Sequence, residues 1–257
     1  IRDSPWFHAT GTPRVLAHRG FVPPDSEGFV ENTHAAFAAA HAAGATYVES
    51  DCHVTSDGVV VLFHDDNLAR VTGDPRRIAD VRHAELAAIM ADRGGLLTAV
   101  EALEAFPTLR FNLDVKSDGA TRLGRLIPPY ADRVLITSFS DRRRRAALTA
   151  AIERGAIPAT SAGQGTVIRM LLARATGSKK LVRRVLKRID ALQVPELFGW
   201  FRLVTTGFVR AAHDAGCEVH VWTINDTPTM MRLLELGVDG IVTDRTDLAL
   251  AAMAARR

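Results

Sequence analysis

Cysteine is almost absent from this chain: its 257 residues hold two, Cys52 and Cys217, far apart and in no CxxC pair. That argues against a disulfide framework and against a zinc site built on thiolates, and both cysteines are expected to be buried free thiols. Long apolar runs are absent too. No stretch of about eighteen such residues exists, so no transmembrane helix is expected. A charged-then-apolar leader is missing as well. The chain starts with Ile, so its N-terminus is read as processed, trimmed or renumbered. With the cysteine usage, the expected compartment is the cytoplasm, a removed signal peptide being the alternative. No GxGxxG follows the first strand-like run, which weighs against dinucleotide binding. No low-complexity linker divides the chain. Aromatics interleaved with basic residues are too few for single-stranded nucleic acid, and no nucleic-acid partner is expected.

What is present begins with a 47% hydrophobic content, ample for one large core. Strand-like runs alternate with helical patterns: VLAH (15–18), YVESD (47–51), FNLDVK (111–116), VLITSF (134–139), IPATSA (157–162), ALQVP (191–195), VHVWTI (219–224) and GIVTD (240–244). Helices between them stop at Gly44, Gly216 and Gly237, where glycine suits the left-handed position after a helix. Strands with crossover helices imply a parallel sheet. A chain close to the ~250 residues of a typical α/β barrel implies closure into a TIM (β/α)8 barrel, with a doubly wound open sheet as the alternative. Residues 59–103 break the rhythm with an extra strand, VVVLFHD, an irregular stretch and a short helix. They are read as a small insertion after the second barrel strand of a single domain over 1–257.

Charge is nearly balanced, at a net +3, but bases cluster. Arg142 to Arg145 form one run; Lys179, Lys180, Arg183, Arg184, Lys187 and Arg188 form another. Both read as solvated helix faces, with attraction to anionic head groups or phosphates, and so a weak association with an anionic membrane surface, as the sharper alternative. Nothing in the sequence specifies an oligomeric state.

The stretch VESDCHVTSDGVVVLFHDD places carboxylates in strands that should be apolar. A buried ionised carboxylate costs several kcal/mol or more unless it is paired or binds a metal. Strand residues two apart share a face, so Glu49 points with Asp51 and Asp114 with Lys116. In a barrel, these meet His18 and Arg19 above three adjacent strands, and His64 and Asp65 arrive from the insertion. Three carboxylates without thiolates suit a hard cation, Mg²⁺ or Ca²⁺, with water completing its shell. Arg19 and Lys116 suit a phosphate oxyanion, and two histidines suit acid and base. The residues alone read as metal-assisted phosphoester cleavage. The plainer alternatives are an internal salt bridge for ExD and a hydrogen-bonded structural role for each histidine; Asp65 reads as a partner of a histidine or of the loop backbone.

AHRG, ENTHAAF, the VESD…FHDDNLARVTG stretch, NLDVK, VHVWTIND and GVDGIVTD, in that order, resemble the glycerophosphodiester phosphodiesterase family, its bacterial branch in particular. The resemblance implies a TIM barrel with a small insertion, and hydrolysis of a small-molecule glycerophosphodiester to glycerol 3-phosphate and an alcohol. It implies His18 and His64 as the acid–base pair, and Glu49, Asp51 and Asp114 as holders of a divalent metal. Arg19 and Lys116 would bind phosphate, Asn32 would lie near the site with Glu31 positioning it, and Trp222 would line the pocket, a core aromatic being its alternative. It also implies attack by the glycerol 2-hydroxyl and a cyclic phosphate that water then opens. Three features depart from the pattern: Asp114 stands where Glu is usual, the loop FVPPDSEGFV is long with Val30 where Pro is common, and GGLLTAVEAL lacks the usual Pro. A competing reading is a lysophospholipase D-like or sphingomyelinase D-like enzyme, with LFGWF (197–201) and the preceding basic cluster as a membrane-facing rim. A catalytically dead phosphodiester sensor would have lost a histidine or ligand, and all are present.

Overall fold

The computed structural model describes residues 4–255. Its strands in chain order are β1 (Arg14–His18), β2 (Tyr47–Val54), β3 (Val60–Leu62), β4 (Arg110–Val115), β5 (Val134–Thr137), β6 (Ala159–Thr160), β7 (Ala191–Pro195), β8 (Leu197–Phe198), β9 (Phe201–Arg202), β10 (Glu218–Trp222) and β11 (Gly240–Thr243). Eight of them form the barrel wall in the order β6-β5-β4-β2-β1-β11-β10-β7, all parallel. The ring shuts through a parallel bridge from Ser161 to Ala191, where the Asp190 N–H donates to the Thr160 carbonyl at 2.9 Å. This is the expected TIM barrel rather than an open sheet. The fifth barrel strand is shorter than the sequence suggests, because Pro158 has no N–H to give a ladder.

Side-chain parity divides the core in two. Leu16, Tyr47, Leu135, Ala159, Ala191 and Val242 fill the barrel axis. Their neighbours point outward, Val48, Phe111, Leu113 and Ile136 into one helix-covered cluster and Val15, Leu192, Val219 and Ile241 into another. The helices are α1 (His34–Ala42), α2 (Ala69–Thr72), α3 (His83–Met90), α4 (Ala99–Ala105), α5 (Ala120–Leu126), α6 (Asp141–Ile152), α7 (Gln164–Ala175), α8 (Lys179–Val185), α9 (Thr206–His213), α10 (Thr227–Glu235) and α11 (Thr246–Ala254). The three expected stops are real: Gly44, Gly216 and Gly237 have φ of 94°, 79° and 90°.

A polar layer seals the barrel's N-terminal end. Arg14 forks onto Glu218 with two bonds of 2.9 Å and donates to the Tyr47 hydroxyl at 2.7 Å; His220 lies 3.0 Å from the same carboxylate. Gly240 makes room for His220, since a Cβ there would come within 2.7 Å of the imidazole. Trp6, wholly buried, packs edge-on to Tyr47 and donates its indole N–H to the Phe111 carbonyl at 3.1 Å.

Between β2 and β4 the chain makes its excursion. β3 pairs antiparallel with β2, and Val61, Phe63, Leu68, Ile78, Val81, Leu86 and Met90 bury a separate apolar cluster. A capping box then starts α4: the Thr98 hydroxyl accepts from the Glu101 N–H, and the Glu101 carboxylate from the Thr98 N–H. Cys52 and Cys217 are buried thiols outside any disulfide, as expected. No described helix is long and apolar enough to cross a membrane. The run Arg142 to Arg145 is not a uniformly solvated face: Arg144 is buried against Asp141 and Thr160.

Candidate active site

A cavity of about 430 Å³ opens over the C-terminal ends of β1, β2 and β4. His18, Arg19, Glu49, Asp51, His64, Asp114, Lys116 and Trp222 line it. Ladder register explains the company they keep: His18 pairs with Glu49, and Asp51 with Asp114. In a parallel ladder such partners point the same way from adjacent strands.

Each histidine is clamped through its Nδ1. His18 Nδ1 lies 2.6 Å from Asp244 Oδ1, and Asn225 holds the other carboxylate oxygen at 2.7 Å. His64 Nδ1 lies 2.6 Å from Asp65 Oδ1. A carboxylate accepts only, so Nδ1 carries the proton and Nε2 is left for chemistry. Burial alone would raise the Asp244 carboxyl, but the His18 and Asn225 hydrogen bonds and the His18 charge bring it below its usual value. Asp65 is likewise lowered, its burial outweighed by hydrogen bonds from Arg70 and His64. Its bond to the histidine is the role the sequence left open.

From Asp65 a chain of charges crosses the mouth. Arg70 donates to Asp65 at 2.6 Å and to Glu31 at 2.6 Å. Glu31 accepts from Arg19 at 2.8 Å, and Arg19 Nε stands 3.4 Å from Asp51. Arg19 and Asn32 both adopt left-handed backbone, with φ of 57° and 58°. Strain of that kind, on the order of 1 kcal/mol or more per residue, concentrates where a site needs it. It is stabilised here by the Arg19 N–H donating to the Glu49 carbonyl and the Asn32 N–H to the Arg19 carbonyl, both at 2.8 Å.

Asn32, expected near the site as a substrate-binding residue, reaches the Asp51 carboxylate through its amide. It is buried behind the site, its amide donating to Asp51 Oδ2 at 3.2 Å and accepting from the Ser50 hydroxyl at 2.6 Å. One end of the amide orients Asp51 and the other is held by Ser50. The Lys116 ammonium lies 3.1 Å from Asp51 and 2.7 Å from Asp114, and 5.2 Å from the Phe139 ring centroid. Burial opposes the charged ammonium, yet the two carboxylates hold its pKa above the usual lysine value. Trp222 lines the cavity edge-on to Phe139.

As the side chains stand, no three carboxylates, thiols or imidazoles among the described residues form a metal cluster. The chemistry of the donors nevertheless fits a hard cation. Glu49 Oε2 and Asp114 Oδ1 are buried oxygens without a hydrogen-bond partner. Burial, then the charges of Asp51 and Asp114, push Glu49 well above the usual carboxylate range, and burial raises Asp114. Lys116 and Arg19 do not balance three carboxylates.

Barrel packing has no use for three carboxylates near its axis, so this mouth marks a functional site at the C-terminal end of a TIM barrel. Comparison with known proteins makes the assignment specific. A family model described as the glycerophosphoryl diester phosphodiesterase family matches residues 18–248. A Mycobacterium tuberculosis (strain ATCC 25618 / H37Rv) protein, "Probable glycerophosphodiester phosphodiesterase 2", is 38% identical over 250 residues, spanning 94% of this chain and 91% of its own. Human lysophospholipase D is 25% identical over 269 aligned positions, spanning 89% and 82%. Among solved structures, a glycerophosphodiester phosphodiesterase of Thermotoga maritima superposes with a TM-score of 0.67 at 25% identity, covering 95% of this chain and 97% of the other. An Oleispira antarctica phosphodiesterase, in complex with the product sn-glycerol-3-phosphate, superposes at 0.71 and 24% identity with the same coverage. The chain belongs to the glycerophosphoryl diester phosphodiesterase family, and it is an enzyme, a phosphoric diester hydrolase.

Sequence reasoning passed over Asp244, Asn225 and Arg70. Asp244 had a signal, since it follows a barrel strand just as Arg19 follows β1. Arg70 had none, because its partners lie 5 and 39 residues away and only the excursion's fold brings them to it.

Proposed function

We propose that the enzyme cleaves glycerophosphodiesters to glycerol 3-phosphate and an alcohol, with His18 and His64 exchanging protons and a divalent cation, Mg²⁺ or Ca²⁺, held by Glu49, Asp51 and Asp114. The observation that carries this reading is the pair of imidazoles at one cavity mouth, each fixed through Nδ1 on a carboxylate, beside buried carboxylate oxygens that lack partners. The sn-glycerol-3-phosphate named with the Oleispira relative is the product this reaction leaves.

Nε2 of one histidine takes the proton of the glycerol 2-hydroxyl as its oxygen attacks phosphorus. The other histidine, entering protonated, gives its proton to the departing alcohol. The roles then reverse while water opens the cyclic phosphate. Microscopic reversibility suits two imidazoles with matched environments. The cation would neutralise the carboxylates and stabilise charge on the phosphoryl oxygens. Arg19, steered by Glu31, supplies a fixed positive charge at the mouth, and Lys116 sits between Asp51 and Asp114 and offsets part of their charge.

The test is product analysis with glycerophosphocholine, using chelator-stripped enzyme with Mg²⁺ or Ca²⁺ restored, and H18A and H64A beside it. Expected are glycerol 3-phosphate and choline only with metal present, and a loss of roughly 10²- to 10⁴-fold in each variant. Full activity after stripping would refute the metal assignment; an active H64A would refute the paired-histidine mechanism.

A further inference from the structure

Part of the cavity lining has no evident use in phosphoryl chemistry. Val167, Ile168, Leu171, Phe198 and Phe201 give it an apolar wall. Two of these come from β8 and β9, which pair only with each other. Phe198 faces Phe201 across the ladder, so Gly199 and Trp200 form a two-residue turn, and Gly199 supplies the positive φ of 59° that such turns favour. The result is a hairpin with an apolar tip standing out of the fold. Trp200 is 95% exposed and Phe198 65%, and Leu172 on the neighbouring α7 is 65% exposed. Single exposed apolar residues mean little, but a contiguous set at the rim of a cavity marks a contact site.

A second, basic feature adjoins it. Arg174, Lys179, Arg183 and Arg210 line a crevice of about 200 Å³ with a single carboxylate, Asp214. α7 is common to both features, with Leu171 on the cavity and Arg174 on the crevice. The chain from Phe201 through Gly207 to Arg210 likewise leads from hairpin to crevice. Asp214 is occupied by Lys179 at 2.9 Å, so the crevice retains a positive surplus. Of the basic cluster that the sequence paired with LFGWF, only Lys179 and Arg183 line this crevice. A tryptophan-tipped apolar edge beside clustered bases is the chemistry of an interfacial anchor on anionic lipid.

We propose that the β8–β9 hairpin, the outer face of α7 and the basic crevice dock the enzyme on an anionic lipid surface. The apolar residues enter the head-group boundary and the crevice faces anionic head groups. The cavity mouth then meets the lipid, and its apolar wall receives the hydrocarbon chain of a phosphodiester drawn from it. That last consequence rests on the hydrolytic reading; the docking does not.

The experiment is co-sedimentation of the whole chain with vesicles of phosphatidylcholine alone, and of equal parts phosphatidylcholine and phosphatidylglycerol, with tryptophan emission followed in parallel. Expected is partition onto the anionic vesicles at least about tenfold above the neutral ones, weakened by salt, with a blue shift of the emission. W200S, at a site that packs against nothing, should lower partition by about tenfold and remove the shift. R174Q with R210Q should weaken binding to anionic vesicles alone. Absence of partition, equal partition onto both vesicles, or binding indifferent to W200S would overturn the proposal. Glycerophosphocholine turnover in free solution separates the two readings: turnover without vesicle binding sinks the docking alone, and vesicle binding without turnover sinks the hydrolytic reading alone.

Discussion

At the scale of single residues, the site works by telling a histidine which nitrogen to use. Asp244 accepts from His18 Nδ1 and is itself held by Asn225 through both side chain and backbone. Replacing it with an amide offers the imidazole a donor and favours the tautomer with the proton on Nε2. D244N is therefore expected to lower kcat by about 10²-fold or more with KM little changed and the melting temperature preserved. A stability loss that accounted for the whole effect would count against the positioning role. HD and HRG were legible as catalytic because a polar residue after a buried strand is conspicuous. Asp244 is just as conspicuous in GIVTD, but its purpose depends on β11 lying beside β1.

At the scale of elements, backbone geometry sets the arginine at the mouth. Gly20 follows Arg19 with φ of 87°, and a Cβ there would lie 2.8 Å from the Ala36 carbonyl carbon. G20A should cost more than about 1 kcal/mol, since strain and overlap add, and should impair turnover by displacing Arg19; unaltered stability and rate would contradict the close packing. α4 returns the chain from the excursion to β4, and its capping box makes a cleaner test. T98A should cost about 1 kcal/mol, read as a fall of roughly 2–4 °C in melting temperature, with activity retained. Helix ends were legible here because glycine alone relieves a left-handed φ. The β8–β9 hairpin was not read as a hairpin: two residues per strand carry no periodicity, and LFGWF differs from ordinary loop packing only in exposure.

At the scale of the whole molecule, the two ends of the barrel treat charge differently. The C-terminal mouth leaves carboxylate oxygens unpartnered, whereas at the N-terminal end the buried Arg14 and Glu218 are paired with each other. Burial alone would raise Glu218, but hydrogen bonds from Arg14 and His220 bring it down to about 2 from 4.5. A carboxyl lowered on folding stabilises the native state fully above its unfolded value and loses that contribution as pH falls toward the folded one. The difference corresponds to about 3 kcal/mol. E218Q should be less stable than the parent at neutral pH, with the gap narrowing as pH drops from about 4.5 toward 2 in denaturant titrations; a gap independent of pH would refute the assignment. W6A, which opens the same end, should cost roughly 3–5 kcal/mol, and a smaller loss would mean that Trp6 is not the plug it resembles.

The sequence by itself determined the barrel and most of the mouth. Strand alternation, glycine stops and chain length leave few topologies, and strand parity forces Glu49 to point with Asp51, and Asp114 with Lys116, whatever surrounds them. What the tertiary structure decided is which polar atom meets which. Asn32 turned inward to orient Asp51, Lys116 settled between two carboxylates, Asp244 joined His18, and Arg70 joined Asp65 and Glu31. Those outcomes depend on register between strands and on loops that cross the barrel mouth, and a hydrogen bond is decided within a few tenths of an ångström. Periodicity along one chain carries no such information.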